Sequence, residues 1–294
     1  MRDIIIDTDV GDDIDDALAL ALALNSPELN IRGITTVFRN TDLRTQLALK
    51  LLKTFGRDDI PVARGIAKPI MEQWDTTLIP NQCALLDEEI EYNCNLHAVD
   101  FIIEEVMKQD NIVLVPIGPL TNIAAAIIKK PSIVHNTQIV MMGGMANVPY
   151  PEWNILCDPE AAAIVFNSGI PITMVGLDVT LKCRLNEEQL NQINKSNNEQ
   201  HNFLSSLIDV WMKTSGILPI LHDPLALAVL IDPSLVETQD MHIKVETKGE
   251  FTRGVTVDSV NVFTGERQKP NANVCVDVDA DRFIDLFLER VFNI

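Results

Sequence analysis

The sequence predicts an α/β fold: an open, mostly parallel sheet with helices on both faces, plus a small antiparallel pair near the C-terminus. Two observations predict it. Short, continuously apolar runs such as Ile4–Ile6, Ile112–Ile117 and Ile172–Val175 read as strands buried on both sides. Segments of helix-forming residues lie between such runs, so strand and helix alternate along most of the chain. No Ser/Gly linker, low-complexity tract or repeat interrupts the alternation, and residues 1–294 are expected to form a single domain.

Ile4–Ile6 opens the sheet and ends in an acidic cluster. Ala17–Leu24 alternates Ala and Leu, a period that suits a strand. Both residues are strong helix formers, however, and an acid-rich entry suits a helix N-terminus, so a helix is predicted. Ile31–Val37 is the second strand, and Leu43–Phe55 a helix closed by Gly56. Ala98–Lys108 follows as helix, Ile112–Ile117 as strand, Ile123–Lys129 as helix and Gln138–Met142 as strand. Asp158-Pro159-Glu160 supplies a cap, a first-turn proline and a first-turn acid to a helix over Ala161–Phe166, and Ile172–Val175 is again a strand. In the C-terminal third, Phe203–Lys213 and Pro224–Leu230 read as helices. His242–Thr247 and Thr252–Asp258 read as the antiparallel pair, Val274–Val278 as a further strand and Arg282–Val291 as the last helix.

The formal charge of the 294 residues is −19 and the pI about 4.5. Such a chain has no basic surplus to displace counterions from nucleic acid, and an anionic membrane surface repels it. No stretch approaches the ~20 apolar residues that span a bilayer, and Ile4-Ile5-Ile6 is too short for the core of a secretion signal. The five cysteines are scattered and never form Cys-x-x-Cys, which points to a reducing cytoplasm.

The acid is unevenly placed: six of the ten residues from Asp7 to Asp16 are aspartate. Open parallel sheets hold ligands at the carboxyl ends of their strands, and this cluster follows the first one. Carboxylates so crowded repel one another unless a cation compensates them, and hard oxygen donors suit Ca²⁺ or Mg²⁺, calcium above all. A solvated acidic loop is the alternative without a ligand. An EF-hand is excluded, because Gly11 and Leu18 occupy the fifth and twelfth positions where that loop needs oxygen ligands. A phosphatase of the haloacid dehalogenase type, which also opens on a strand and Asp-x-Asp, remains an alternative, although the dense run Asp12–Asp16 is foreign to it.

Five segments in order carry a resemblance. They are Asp7–Ala19; Ile34-Thr35-Thr36-Val37 leading to Asn40; Val115–Asn122; Met142-Gly143-Gly144 continuing to Glu152-Trp153-Asn154; and His222-Asp223-Pro224-Leu225-Ala226. Together they resemble the inosine–uridine preferring nucleoside hydrolase family over essentially the whole chain. The resemblance implies a Rossmann-like sheet, a cytoplasmic homodimer or homotetramer, and Ca²⁺-dependent hydrolysis of the N-glycosidic bond of a ribonucleoside. It implies Asp9, Asp16, Asp223 and the backbone carbonyl of Ile117 as calcium ligands. Asp9 is then the base that accepts a proton from water, and His222 the group that protonates the departing base or steers a proton to it. Asp15, Asn40, Asn147, Glu152 and Asn154 are implied to contact ribose, with Met142 and Trp153 as pocket walls and Asp7 in support.

Two departures stand out. The family has one residue between the glycine and the Asp-Asp pair, whereas Asp12, Asp13 and Ile14 stand there here. Asp15-Asp16 aligns with the pair because a helix follows directly; Asp12-Asp13 is the rival register. Many members also carry a histidine loop near residues 74–90 that helps bind the base. This chain has no histidine there, Trp74 is the substitute it offers, and a catalytically silent calcium-bound protein of the same fold stays open.

Overall fold

The structure, a computed structural model, describes residues 1–109, 111–195, 198–260 and 263–294. Six strands form a parallel array: β1 (Arg2–Thr8), β2 (Leu29–Thr36), β3 (Val62–Arg64), β4 (Ile112–Pro116), β5 (Thr137–Met142) and β6 (Ile172–Val175). The chain then makes β7 (Val236–Met241), a separate antiparallel pair of β8 (Ile243–Val245) and β9 (Thr256–Asp258), and β10 (Ala272–Val278). The sheet order is β3-β2-β1-β4-β5-β6-β10-β7, with β7 alone antiparallel at the edge.

The helices are α1 (Asp15–Leu24), α2 (Thr41–Thr54), α3 (Ala98–Lys108), α4 (Thr121–Lys129), α5 (Trp153–Cys157), α6 (Pro159–Phe166), α7 (Leu177–Thr180), α8 (Glu187–Ile193), α9 (Glu199–Ser215), α10 (His222–Ile231) and α11 (Ala280–Phe292). One sheet face carries α1, α2, α9, α10 and α11, packed through Leu18, Leu47, Leu204, Leu225 and Phe287. The other carries α3, α4 and α6, packed through Phe101, Ile123 and Phe166. The first strand shows why its run is apolar without alternation: Ile4 and Ile6 enter one core and Ile5 the other. Helix α1 is buried from Asp15 to Ala23, so its Ala/Leu alternation marks a helix apolar all round and not a strand.

The alternation of strand and helix is as expected, with three differences. β10 lies beside β6 and β7, so the C-terminal strand completes the main sheet. β7 reads VETQDM, a half-exposed edge whose polarity hides it from a search for apolar runs, and β3 has only three residues. The antiparallel pair is shorter than expected, because residues 246–255 form its connection.

One side chain at the carboxyl end of the sheet ties three strands together. Asn122 at the start of α4 is fully buried; its amide donates to Asp7 Oδ1 at 2.8 Å and to the Thr36 carbonyl at 2.9 Å. Its oxygen accepts from the Ile66 N–H at 2.9 Å. Replacing Asn122 with Leu leaves a buried N–H, a carbonyl and a carboxylate short of partners. We expect a loss of about 2–4 kcal/mol in a denaturant titration; a loss below about 1 kcal/mol would contradict this role.

Candidate active site

The carboxyl ends of the parallel strands surround a cavity of about 730 Å³. Its floor is the acidic loop between β1 and α1. Asp15, Asp16 and Asp223 are each buried, and each offers an oxygen within 4.8 Å of the other two. Local geometry produces this. Asp15 and Asp16 form the first turn of α1, and Asp223 the first turn of α10, which packs against it. Asp15 Oδ2 accepts the Asp223 N–H at 3.3 Å, and Asp16 Oδ1 accepts the Thr8 hydroxyl at 2.5 Å. Asp15 and Asp16, not Asp12 and Asp13, therefore stand beside Asp223.

Asp9 lines the same cavity with its carboxylate against Gly118, where an added Cβ would sit 2.5 Å from Asp9 Oδ1. Only glycine admits that approach. The Ile117 carbonyl beside it accepts the Asn154 amide at 2.9 Å. Below lies Asp7, fully buried: Oδ1 accepts from Thr35 at 2.5 Å and from Asn122, and Oδ2 has no hydrogen-bond partner.

Burial is the first cause of high proton affinity throughout this cluster. It pushes Asp7 up to about 7 and Asp9 up to about 6. Asp15, Asp16 and Asp223 are held well above the usual carboxylate range, first by burial and then by neighbouring carboxylates: Asp13 and Asp16 beside Asp15, Asp9 beside Asp16, and Asp15 and Asp16 beside Asp223. A buried carboxylate trio with no ion pair among the described residues suits a hard divalent ion, which replaces lost water with charge compensation.

One cation, Arg44, is tied directly into the acidic loop. Arg44 of α2 is fully buried, with Nε donating to the Phe38 carbonyl at 2.8 Å and Nη2 to Asp12 Oδ2 at 2.8 Å. Nη1 donates to the carbonyls of Asp9 and Val10. The guanidinium thus holds the acidic loop mainly by its backbone; of the trio, its charge eases Asp16, while burial and the neighbouring carboxylates still hold all three well above the usual range.

The remaining wall comes from the segment after β5. Glu152 caps α5, accepting from the N–H groups of Asn154 at 2.9 Å and Ile155 at 3.2 Å; it also accepts from Gly144 at 2.9 Å. Burial pushes its carboxyl up to about 7. Gly144, at φ 77°, has the left-handed backbone this turn needs. Asn154 reaches the carbonyls of Ile117 and Met142, Met142 is buried in the lining, and Trp153 is half exposed above them. His222 lines the cavity with Nδ1 2.7 Å from the Thr180 hydroxyl. Burial, with a smaller contribution from Arg184, pushes it down to about 4, so the imidazole is neutral at pH 7.

The cavity thus brings together Asp9, Asp15, Asp16, Ile117, Met142, Glu152, Trp153, Asn154, His222 and Asp223. It does not include Asn40 or Asn147. Asn40 caps α2, accepting the Leu43 N–H at 3.2 Å, which is the usual use of asparagine at a helix entry. Asn147 is exposed, and its N–H donates to Asp178. Trp74 does not line the cavity but packs edge-on against Trp153, ring centroids 5.6 Å apart. Sequence reasoning missed Arg44, which lies within the helix with no local mark of its role, and it missed Trp211, which lines the cavity from α9.

Comparison with known proteins agrees with this geometry. The chain is 38% identical to pyrimidine-specific ribonucleoside hydrolase RihA of Shewanella sp. (strain MR-7), covering 99% of this chain and 96% of that one. It is 36% identical to the same enzyme of Escherichia fergusonii, covering 98% and 97%. A plant nucleoside hydrolase superposes with a TM-score of 0.90 at 30% identity, covering 99% of this chain and 98% of the other. A purine-preferring ribonucleoside hydrolase from Gardnerella vaginalis does so with a TM-score of 0.86 at 34% identity and the same coverage. The profile of the inosine-uridine preferring nucleoside hydrolases matches residues 4–285, and the chain belongs to that family.

Proposed function

We propose that this protein hydrolyses the N-ribosidic bond of neutral ribonucleosides, releasing ribose and a free base, with one Ca²⁺ at the carboxylate trio. The observation that carries the reading is the buried trio Asp15, Asp16 and Asp223 at the floor of a nucleoside-sized cavity in a chain of this family. Asp9, Asp16, Asp223 and the Ile117 carbonyl would hold the ion. When bound, it lowers the pKa of water and fixes ribose hydroxyls.

The side chains do the rest. Asp9 accepts the proton of the attacking water. Asp15 accepts a ribose hydroxyl, and Glu152 and Asn154 place oxygens near the ring, where an oxocarbenium-like transition state gathers positive charge. The neutral His222, oriented by Thr180, hydrogen-bonds the departing base and steers a proton toward it. Trp153 and Met142 exclude water from one side. The cavity's carboxylates repel a phosphorylated substrate as long as nothing offsets them.

Five unpaired cysteines support a reducing cytoplasm, and no described helix is long and apolar enough to cross a membrane. One sheet drawn from residues 2 to 278 supports a single domain, and the family likeness supports a homodimer or homotetramer.

The reading is tested by incubating purified protein with a panel of ribonucleosides and measuring reducing sugar. Cleavage should disappear with a chelator and return with Ca²⁺, and Asp16→Asn should lower kcat/KM by about a hundredfold or more. Absence of cleavage by the calcium-loaded protein across the panel would favour the catalytically silent reading.

The proton affinities give a second test in melting temperature. Folded-state values of about 7 for Asp7 and about 6 for Asp9 lie above the ordinary 3.8. Their contribution to stability is therefore whole below the ordinary value and is lost as pH rises through 6 to 7. A bound cation removes the penalty. The Tm difference between calcium-loaded and chelated protein should widen from pH 5 to pH 8; a constant difference would contradict it.

A further inference from the structure

The loop after β2 carries a cation, Arg39, that forms no ion pair among the described residues, although its charge reaches the exposed Asp75. Phe38 and Arg39 both adopt left-handed backbone, at φ 68° and 55°, although neither is glycine. Such residues are disfavoured by about 1–2 kcal/mol each. Hydrogen bonds from their N–H groups to the carbonyls of Ile66 and Ala67, at 2.9 and 2.8 Å, hold them there. The turn lays the Arg39 guanidinium along the cavity wall, 5.0 Å from the Phe38 ring centroid and 4.9 Å from that of Trp74.

Its Nε is buried without a hydrogen-bond partner. Arg44, Arg64 and Arg253 each meet a carboxylate, whereas Arg39 forms no ion pair among the described residues. This is unusual in a cavity whose lining includes seven Asp and Glu side chains. The aromatic rings hold the guanidinium apart from them, and strained backbone with unfilled donors beside a cavity marks a place kept for a ligand.

The ligand's orientation follows from the ribohydrolase reading, on which this inference rests. A cation at the trio grips adjacent hydroxyls, which on ribose are those on C2′ and C3′. The two ends of the nucleoside then point to opposite walls. His222, with Thr180 and Arg184 about it, marks the base side. Arg39 packs on Trp74, and Trp74 on Trp153, which stands between Glu152 and Asn154; this chain of rings associates Arg39 with the residues assigned to the ribose and not with His222. We propose that Arg39 is a specificity-determining residue that donates to an oxygen on C5′: the hydroxyl of a ribonucleoside or the phosphate of its 5′-monophosphate. A planar, permanently charged guanidinium suits either acceptor, and as the one Lys or Arg side chain among the described residues lining the cavity it offsets the repulsion a phosphate would meet.

The test compares kcat/KM for a ribonucleoside, its 5′-deoxy analogue and its 5′-monophosphate, using calcium-loaded wild type, Arg39→Met and Arg39→Lys. Wild type should prefer a substrate bearing a 5′ oxygen over the 5′-deoxy analogue by about tenfold to a hundredfold. Arg39→Met should reduce that ratio to about one to three, and Arg39→Lys should restore only part of it. The monophosphate-to-ribonucleoside ratio in wild type identifies which oxygen Arg39 serves. The assignment is overturned if wild type shows no preference, or if Arg39→Met lowers all three substrates alike and keeps the ratio. Release of no base from any of the three by wild type would instead sink the hydrolase reading.

Discussion

The structure depends on one constraint: carboxylates gathered at the end of β1, with Asp223 joining them from far along the chain, must share a small buried volume. Desolvation and mutual repulsion both oppose their ionisation. The protein relieves this only in part. Arg44 neutralises Asp12 and ties down the backbone carbonyls of Asp9 and Val10, and Thr8 and Thr35 donate to Asp16 and Asp7. Asp15, Asp16 and Asp223 are left facing one another. The fold thus holds a frustrated charge cluster in place, and stability elsewhere keeps it there.

The sheet makes that possible. β1 is central and paired on both sides, so its last residues cannot splay to relieve the charge. Asn122 fixes β1 to the end of β2 and to the segment after β3, and Gly118 lets the turn after β4 pass against Asp9. Asn154 bridges the carbonyls after β4 and β5, and Glu152 draws the glycine turn onto α5. These polar contacts are buried, that from the Ile66 N–H only partly, so they have few alternatives in which their partners remain satisfied.

Much of this was legible in the sequence. Continuous apolar runs marked the buried strands, and Asp158-Pro159 marked the start of α6 with its cap. The order of motifs placed ten of the expected site residues around one cavity. The rest was hidden for physical reasons. β7 is polar because it lies at an edge. Asn40 and Glu152 had the residue types of ligand contacts and also of helix caps; in the structure both cap, and of the two Glu152 lines the cavity. Arg44 sits among ordinary helix residues, and nothing local shows that its guanidinium reaches a loop some thirty-five positions earlier. His222 was singled out in the sequence for the departing base, but that burial keeps its imidazole neutral shows only in the structure.

The central claim is that this cluster is built for one divalent ion. Calorimetric titration of chelated protein with Ca²⁺ near pH 6.5, in two buffers of different ionisation enthalpy, tests it most directly. The account predicts one ion per chain, a buffer-dependent heat from protons displaced from the carboxylates, and loss of binding in Asp16→Asn. Binding that survives this substitution, or no binding at all, would contradict it.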